Sequence, residues 1–284
     1  MNEDAVIDAH HHVWDLSVRD QAWTRAFAPL RRSFSIEDLA PLLSENGVNA
    51  TVLVQTLNIP DETPELLRVA QQSSFVIGVV GWVDLLADDV DDQLAELESL
   101  PGGEFLVGIR HVVQDEEDPN LLRRSGVLRG LDAVANRGLS FDILIRNDQM
   151  DAAIGVARAL PNVKFILDHF GKPSIAMGEI DDWSEQIVEL AKCENVAIKL
   201  SGLVTEAEHA AWTVDDLRPY ADVVFASFGA RRVIFGSDWP VCQLAASYGE
   251  VISVARQLTL GLSDLDREWV FGLSARAWYG LEIV

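Results

Sequence analysis

Residues 5–15 read AVIDAHHHVWD, a short apolar run that closes on three consecutive histidines. A strand buried on both faces has this near-continuous apolar character and ends where polar residues begin. The pattern recurs as NATVLVQT at 49–56, FVIGVVGWVD at 75–84, FLVGIRHV at 105–112 and SFDILIRN at 140–147. It continues as VKFILDHFG at 163–171, VAIKLSG at 196–202 and RVIFGSDWP at 232–240. Between the runs lie helical patterns such as SIEDLAPLLSENG and DDQLAELESL, with Ser or Asp near the start and Gly after some ends. Strand-like runs alternating with helices at roughly 30-residue spacing predict an α/β chain folded as a single (β/α)8 TIM barrel. The barrel is expected to take up the whole of 1–284. A doubly wound sheet would normally carry a glycine-rich phosphate turn after its first strand, and none follows here. The link at 15–48 is long for a βα connection and holds Trp23, Phe27, Arg31 and Arg32, so it reads as a lid over the barrel mouth.

Composition narrows the function classes. Lys and Arg total 22 against 45 Asp and Glu, a formal charge of −23. Such a surface disfavours nucleic acid and anionic membranes. The first residues show no basic stretch followed by a long apolar run, and no segment is apolar enough to span a bilayer. Cys193 and Cys242 are too few for a disulfide framework, and a cytoplasmic location is expected. A homo-oligomer is compatible with the chain, although composition singles out no patch for it.

In a barrel of this type the site lies at the C-terminal ends of the strands. Five of the six histidines are expected there: His10, His11 and His12 on the first strand, His111 on the fourth and His169 on the sixth. His209 is expected elsewhere, in the segment after the seventh strand, and Asp238 closes the eighth. Side chains alternate along a strand, so His10 and His12 share one face and His11 takes the other. Asp8 shares the parity of His10 and His12, one layer deeper, where it would hydrogen-bond an imidazole and fix its tautomer. Neither a G-x-S-x-G elbow nor a P-loop is present in the sequence.

DAHHHVWD, LDHFGKP, KLSGL and FGSDWPV together resemble the amidohydrolase superfamily. More narrowly the chain is similar to its lactonase branch, which includes L-fuconolactonases, L-rhamnonolactonases and 2-pyrone-4,6-dicarboxylate lactonases. GIRHVVQDEEDP and VCQLAASYGEV look particularly like the L-fuconolactonase group. The resemblance implies hydrolysis of a sugar-acid lactone, with Asp238 as general base on water and His169 stabilising the oxyanion. Many metal-dependent members carry a histidine at the end of strand 5 and some a lysine or glutamate on strand 4. Here those strands end in Arg146-Asn147 and Arg110-His111, so the full metal set is incomplete. His10, His12, His169 and Asp238 remain, a set able to hold one zinc-like divalent ion with open positions or to work without metal.

Substrate contacts are expected from Gln55, Trp82, Arg110, His111, Arg146 and Lys199, each polar or aromatic where a strand finishes. An apolar wall would come from Trp14, Trp82 or Trp239. Lys172 reads equally well as a loop residue or a ligand contact, and the acidic stretch QDEEDP as a solvated loop from which one carboxylate could reach the mouth. The competing functions are a metal-dependent decarboxylase on the same barrel and a barrel that only binds a sugar acid. The intact His-x-His and Asp238 argue against the latter.

Overall fold

The computed structural model describes residues 5–281. Each of the apolar runs forms a strand: β1 (Ile7–His11), β2 (Ala50–Val54), β3 (Val76–Gly81), β4 (Leu106–Val112), β5 (Ser140–Leu144), β6 (Phe165–Leu167), β7 (Val196–Leu200) and β8 (Val233–Phe235). They pair in parallel in chain order, from β1 to β8. The seam between β8 and β1 is carried by backbone just beyond β8. The His12 N–H donates to the Trp239 carbonyl at 2.7 Å and the Asp238 N–H to the His10 carbonyl at 2.8 Å. Closing the barrel therefore sets Asp238 against the His-x-His strand.

The outer ring holds α1 (Ile36–Asn46), α2 (Glu62–Gln72), α3 (Val90–Ser99), α4 (Ser125–Asn136), α5 (Met150–Ala159) and α6 (Asp181–Ala191). After β7 come α7 (Leu203–Glu206) and α8 (Val214–Phe228), and after β8 come α9 (Tyr248–Leu258), α10 (Asp264–Glu268) and α11 (Ser274–Tyr279). α1 starts where the Asp38 carboxylate accepts the Ser35 N–H at 3.0 Å, and stops at Gly47, whose φ of 68° suits glycine. It buries Leu39 and Leu43 and belongs to the barrel ring. The long first link thus shrinks to residues 15–35, which hold two short 3₁₀ turns, Ala22–Ala26 and Ala28–Leu30.

Alternation sorts the strand residues into two layers. In β7, Val196, Ile198 and Leu200 pack with the helices, while Ala197 joins a second apolar cluster inside the barrel with Val52, Val54, Ile166 and Ile234. β1 breaks this rule. Its register against β2 slips between Asp8 and His11, a β-bulge that adds one residue and shifts parity. Asp8 consequently faces outward, where it accepts from the Ser237 N–H at 2.7 Å and from Tyr248 of α9 at 3.2 Å. The expected Asp8–imidazole bond is absent for this reason. His11 also faces outward, toward Thr51 at 2.9 Å.

Below the histidines the interior is charged. Lys199 and Asp142 are fully buried and paired at 2.5 Å, and Lys199 also lies 3.0 Å from Asp168. Arg110 holds the other oxygen of Asp168 at 3.0 Å, and Tyr279 donates to Asp142 at 2.7 Å. Two carboxylates and two cations balance, which is the condition under which charges persist without water. Burial pushes the Asp142 carboxyl up to about 6, against the pull of Lys199. Burial acts on Asp168 in the same sense, but Lys199, His10 and Arg110 outweigh it and hold that carboxyl well below its usual range. Lys199→Met would leave Asp142 without a cation and Asp168 with Arg110 alone, and is expected to cost about 3–5 kcal/mol of stability. Denaturant titration checks this, and a loss under about 1 kcal/mol would deny the charge set its structural role.

Candidate active site

The loops after β6 and β8 carry the described residues other than glycine with left-handed backbones: His169 (φ 52°), Phe170 (54°), Lys172 (55°) and Asp238 (57°). Such residues are uncommon, and strain of this kind collects at functional sites. Two glycines make room for the imidazoles. A Cβ on Gly202, itself at φ +67°, would lie 2.6 Å from His169 Nδ1, and one on Gly236 would lie 2.6 Å from His10 Cβ.

Hydrogen bonds assign the ring protons. His12 Nδ1 lies 2.7 Å from the Val54 carbonyl, which can only accept, so His12 carries its proton on Nδ1 and turns the Nε2 lone pair inward. His10 Nδ1 lies 2.9 Å from the Lys199 ammonium, which can only donate. The Lys199 contact is shorter than those of Asp168 Oδ1 to Nδ1 and of Arg110 Nη1 to Nε2, both 3.4 Å, so the His10 proton sits on Nε2, which is 3.2 Å from His12 Nε2. Burial, then the Lys199 charge, hold His10 well below its ordinary pKa, and burial takes His169 down to about 4. Both rings are neutral near pH 7. His169 Nδ1 bonds the Ser201 hydroxyl at 2.9 Å. Burial alone would raise the Asp238 carboxyl, but His169, His12 and Lys172 favour the anion and bring it below its usual value.

His10 Nε2, His12 Nε2 and Asp238 Oδ1 form a triangle with sides of 3.2, 3.7 and 3.4 Å, and His169 Nε2 lies 4.0 Å from the same carboxylate oxygen. Ligands at zinc bond lengths in a tetrahedron stand about 3.3 Å apart, so the donors match in type and spacing. The cations beside them act the other way. A metal on His10 Nε2 needs the ring proton on Nδ1, facing Lys199, and Arg110 Nη1 lies 3.4 Å from that Nε2.

Above the triangle opens a cavity of about 560 Å³. His12, His169, Asp238 and Arg110 line it, together with Trp23, Phe27, Gln114, Asp115, Lys172, Glu206 and His209. Of the expected substrate contacts, only Arg110 reaches it. The Arg110 guanidinium is held by Asp168 and the Gln55 carbonyl, while the Gln55 amide donates to the Arg110 carbonyl at 3.0 Å. Lys199 is sealed in the interior because its inward strand position lies below the rim. Trp82 donates to His111 at 3.2 Å and His111 binds Glu116 at 2.7 Å, so this pair satisfies itself away from the cavity. Arg146 lines an adjoining recess, paired with Asp148 at 3.1 Å. Trp14 and Trp239 are buried around Phe34, and Trp23 supplies the aromatic wall in their place.

Glu206 and His209 were not expected at the site. Both follow β7, and the strand-end rule applied to the TEAEH stretch at 205–209 would have found them. Asp168, Asp142 and Ser201 were hidden differently, since only the barrel interior reveals what they support.

The amidohydrolase family profile matches residues 7–281. The chain belongs to the amidohydrolase family. An L-fucono-1,5-lactonase of Burkholderia ambifaria is 40% identical over 247 residues, 86% of this chain and 83% of that protein. An L-fucono-1,5-lactonase of Burkholderia multivorans is 36% identical and covers 97% of this chain and 96% of its own. A crystal structure of a Burkholderia multivorans amidohydrolase with bound zinc superposes with a TM-score of 0.92 at 32% identity, covering 98% of this chain and 100% of that one. Among the described residues of this amidohydrolase no helix is long and apolar enough to cross a membrane.

The glycine argument is directly testable. Gly202→Ala should push the His169 ring off Ser201, visible as a displaced imidazole in a crystal structure of the variant. An unmoved ring would show that the loop relaxes around the added methyl.

Proposed function

We propose that this amidohydrolase hydrolyses a neutral sugar lactone, an L-fucono-1,5-lactone-like ring, with Asp238 as general base. The observation that carries the reading is the buried, ionised Asp238 carboxylate beside His12 and His169 at the floor of the cavity. Two relatives named as L-fucono-1,5-lactonases, matched over most of their length, support the substrate class.

A water at the cavity floor donates to Asp238 Oδ1, which lies 3.4 Å from His12 Nε2. Asp238 takes a proton as the water oxygen attacks the ring carbonyl carbon. Oxyanion stabilisation requires the His169 proton on Nε2, the tautomer in which Nδ1 accepts from the Ser201 hydroxyl 2.9 Å away. The ring C–O bond then breaks, and Asp238 returns the proton to the leaving alkoxide. The hydroxy acid formed ionises near neutral pH. A divalent ion bound by His10, His12 and Asp238 would supply Lewis acidity, but the Lys199 ammonium facing His10 favours the metal-free proton pattern.

The charges also select the substrate. Arg110 is neutralised by Asp168, and Lys172 lies 3.7 Å from Glu206, so neither cation lining the cavity is left to hold a substrate carboxylate. This favours an uncharged lactone over an aromatic acid awaiting decarboxylation.

A pH-indicator screen of fucono-, galactono-, rhamnono- and arabinono-lactones should show acid release by at least one, and silence across all would sink the proposal. Asp238→Asn should lower kcat about 100- to 10,000-fold with the fold intact; near-normal turnover would remove Asp238 as base. Chelator-stripped protein should keep most of its turnover. Loss that added zinc restores would place a metal in the reaction.

A further inference from the structure

The cavity mouth is uneven around the barrel. The loops after β4, β6 and β7 contribute Gln114, Lys172 and Glu206, whereas the loop after β8 and the 15–35 link contribute Leu244, Trp23 and Phe27. One arc is polar, the other apolar.

Lys172 and Glu206 are each about three-quarters buried, and Lys172 Nζ stands 3.7 Å from Glu206 Oε1. That is too long for a direct hydrogen bond, and among the described residues neither charged end makes a shorter one. The backbone fixes this gap. Lys172 sits in the left-handed turn after β6, and Glu206 ends α7, which is capped by Gly202 beside His169. A hydroxyl placed between them donates to the carboxylate and accepts from the ammonium, satisfying both. A methyl group or a bare ring carbon satisfies neither, and a carboxylate is repelled by Glu206. On the same arc the Gln114 side-chain carbonyl is buried with no hydrogen-bond partner, a second acceptor awaiting a donor. Gln114, Lys172 and Glu206 also line the adjoining recess, so the three stand where the two openings meet.

We propose that Glu206 and Lys172 form a hydroxyl-reading pair that selects the lactone. They bind one secondary hydroxyl of the ring and so set its carbonyl over Asp238, while Trp23 and Phe27 cover the ring's apolar face. This rests on the lactonase reading above and adds the residues that determine specificity. Burial raises the Glu206 carboxyl and Lys172 opposes this, so the pair is an ion pair worth keeping only if a ligand uses both ends.

The test is a protein-by-substrate cycle on the full chain, using the best lactone of the screen and its monodeoxy analogues. Wild-type kcat/KM should fall about 10- to 100-fold for one analogue, the loss of a charge-assisted hydrogen bond. Glu206→Ala should lower kcat/KM for the parent lactone by a similar factor and leave that one analogue unchanged within about threefold. Lys172→Met should show the same coupling to the same hydroxyl, and Glu206→Gln, which keeps the shape, should show it in weaker form. Effects that multiply for every analogue would overturn the pairing while leaving lactone hydrolysis standing. Wild-type protein that opens no lactone would overturn both.

Discussion

One buried ammonium organises this barrel. Lys199 bridges Asp142 and Asp168 below the rim and donates to His10 Nδ1 above them. The contact to His10 turns a structural charge set into a chemical one, because it decides which ring nitrogen carries the proton. From there the order spreads upward. His10 presents Nε2–H to the Nε2 lone pair of His12, whose own proton is tied to the Val54 carbonyl, and this fixes His12 Nε2 3.4 Å from Asp238 Oδ1. A buried ion set of this kind adds little net stability compared with apolar packing, so what it contributes here is a defined electrostatic floor.

The seam of the barrel does the rest of the positioning. Backbone hydrogen bonds between 10–12 and 238–239 close the cylinder and fix Asp238 beside the imidazoles in one step. Of the left-handed residues, His169, Lys172 and Asp238 turn their side chains to the cavity, while Phe170 packs outward on Trp183 of α6. A closed barrel can hold such strain because every neighbouring strand is paired.

The fold was legible because strands buried on both faces need apolar runs, and these stand out at each of the positions expected. The histidine cluster was legible for a related reason: polar residues at the end of such a run have few places to go but the rim. Parity failed at Asp8, since a bulge leaves no mark in an alternating pattern. Lys199 was expected at the rim because it stands near the end of its strand, and burial puts it below the rim as the counter-ion of Asp142 and Asp168. Trp82 and His111 bind each other across the ends of β3 and β4, His111 and Arg146 each pair with an acid of their own loop, and none of the three lines the cavity above the histidines. Glu206 went unnoticed because it lies six residues beyond the end of β7, outside the strand ends that were searched.

Nitrogen-15 correlation spectra of the histidine side chains test this account most directly, since they report which ring nitrogen is protonated. Near pH 7 the charge set predicts neutral His10 protonated on Nε2 and His12 protonated on Nδ1. A His10 ring protonated on Nδ1, or on both nitrogens, would contradict it.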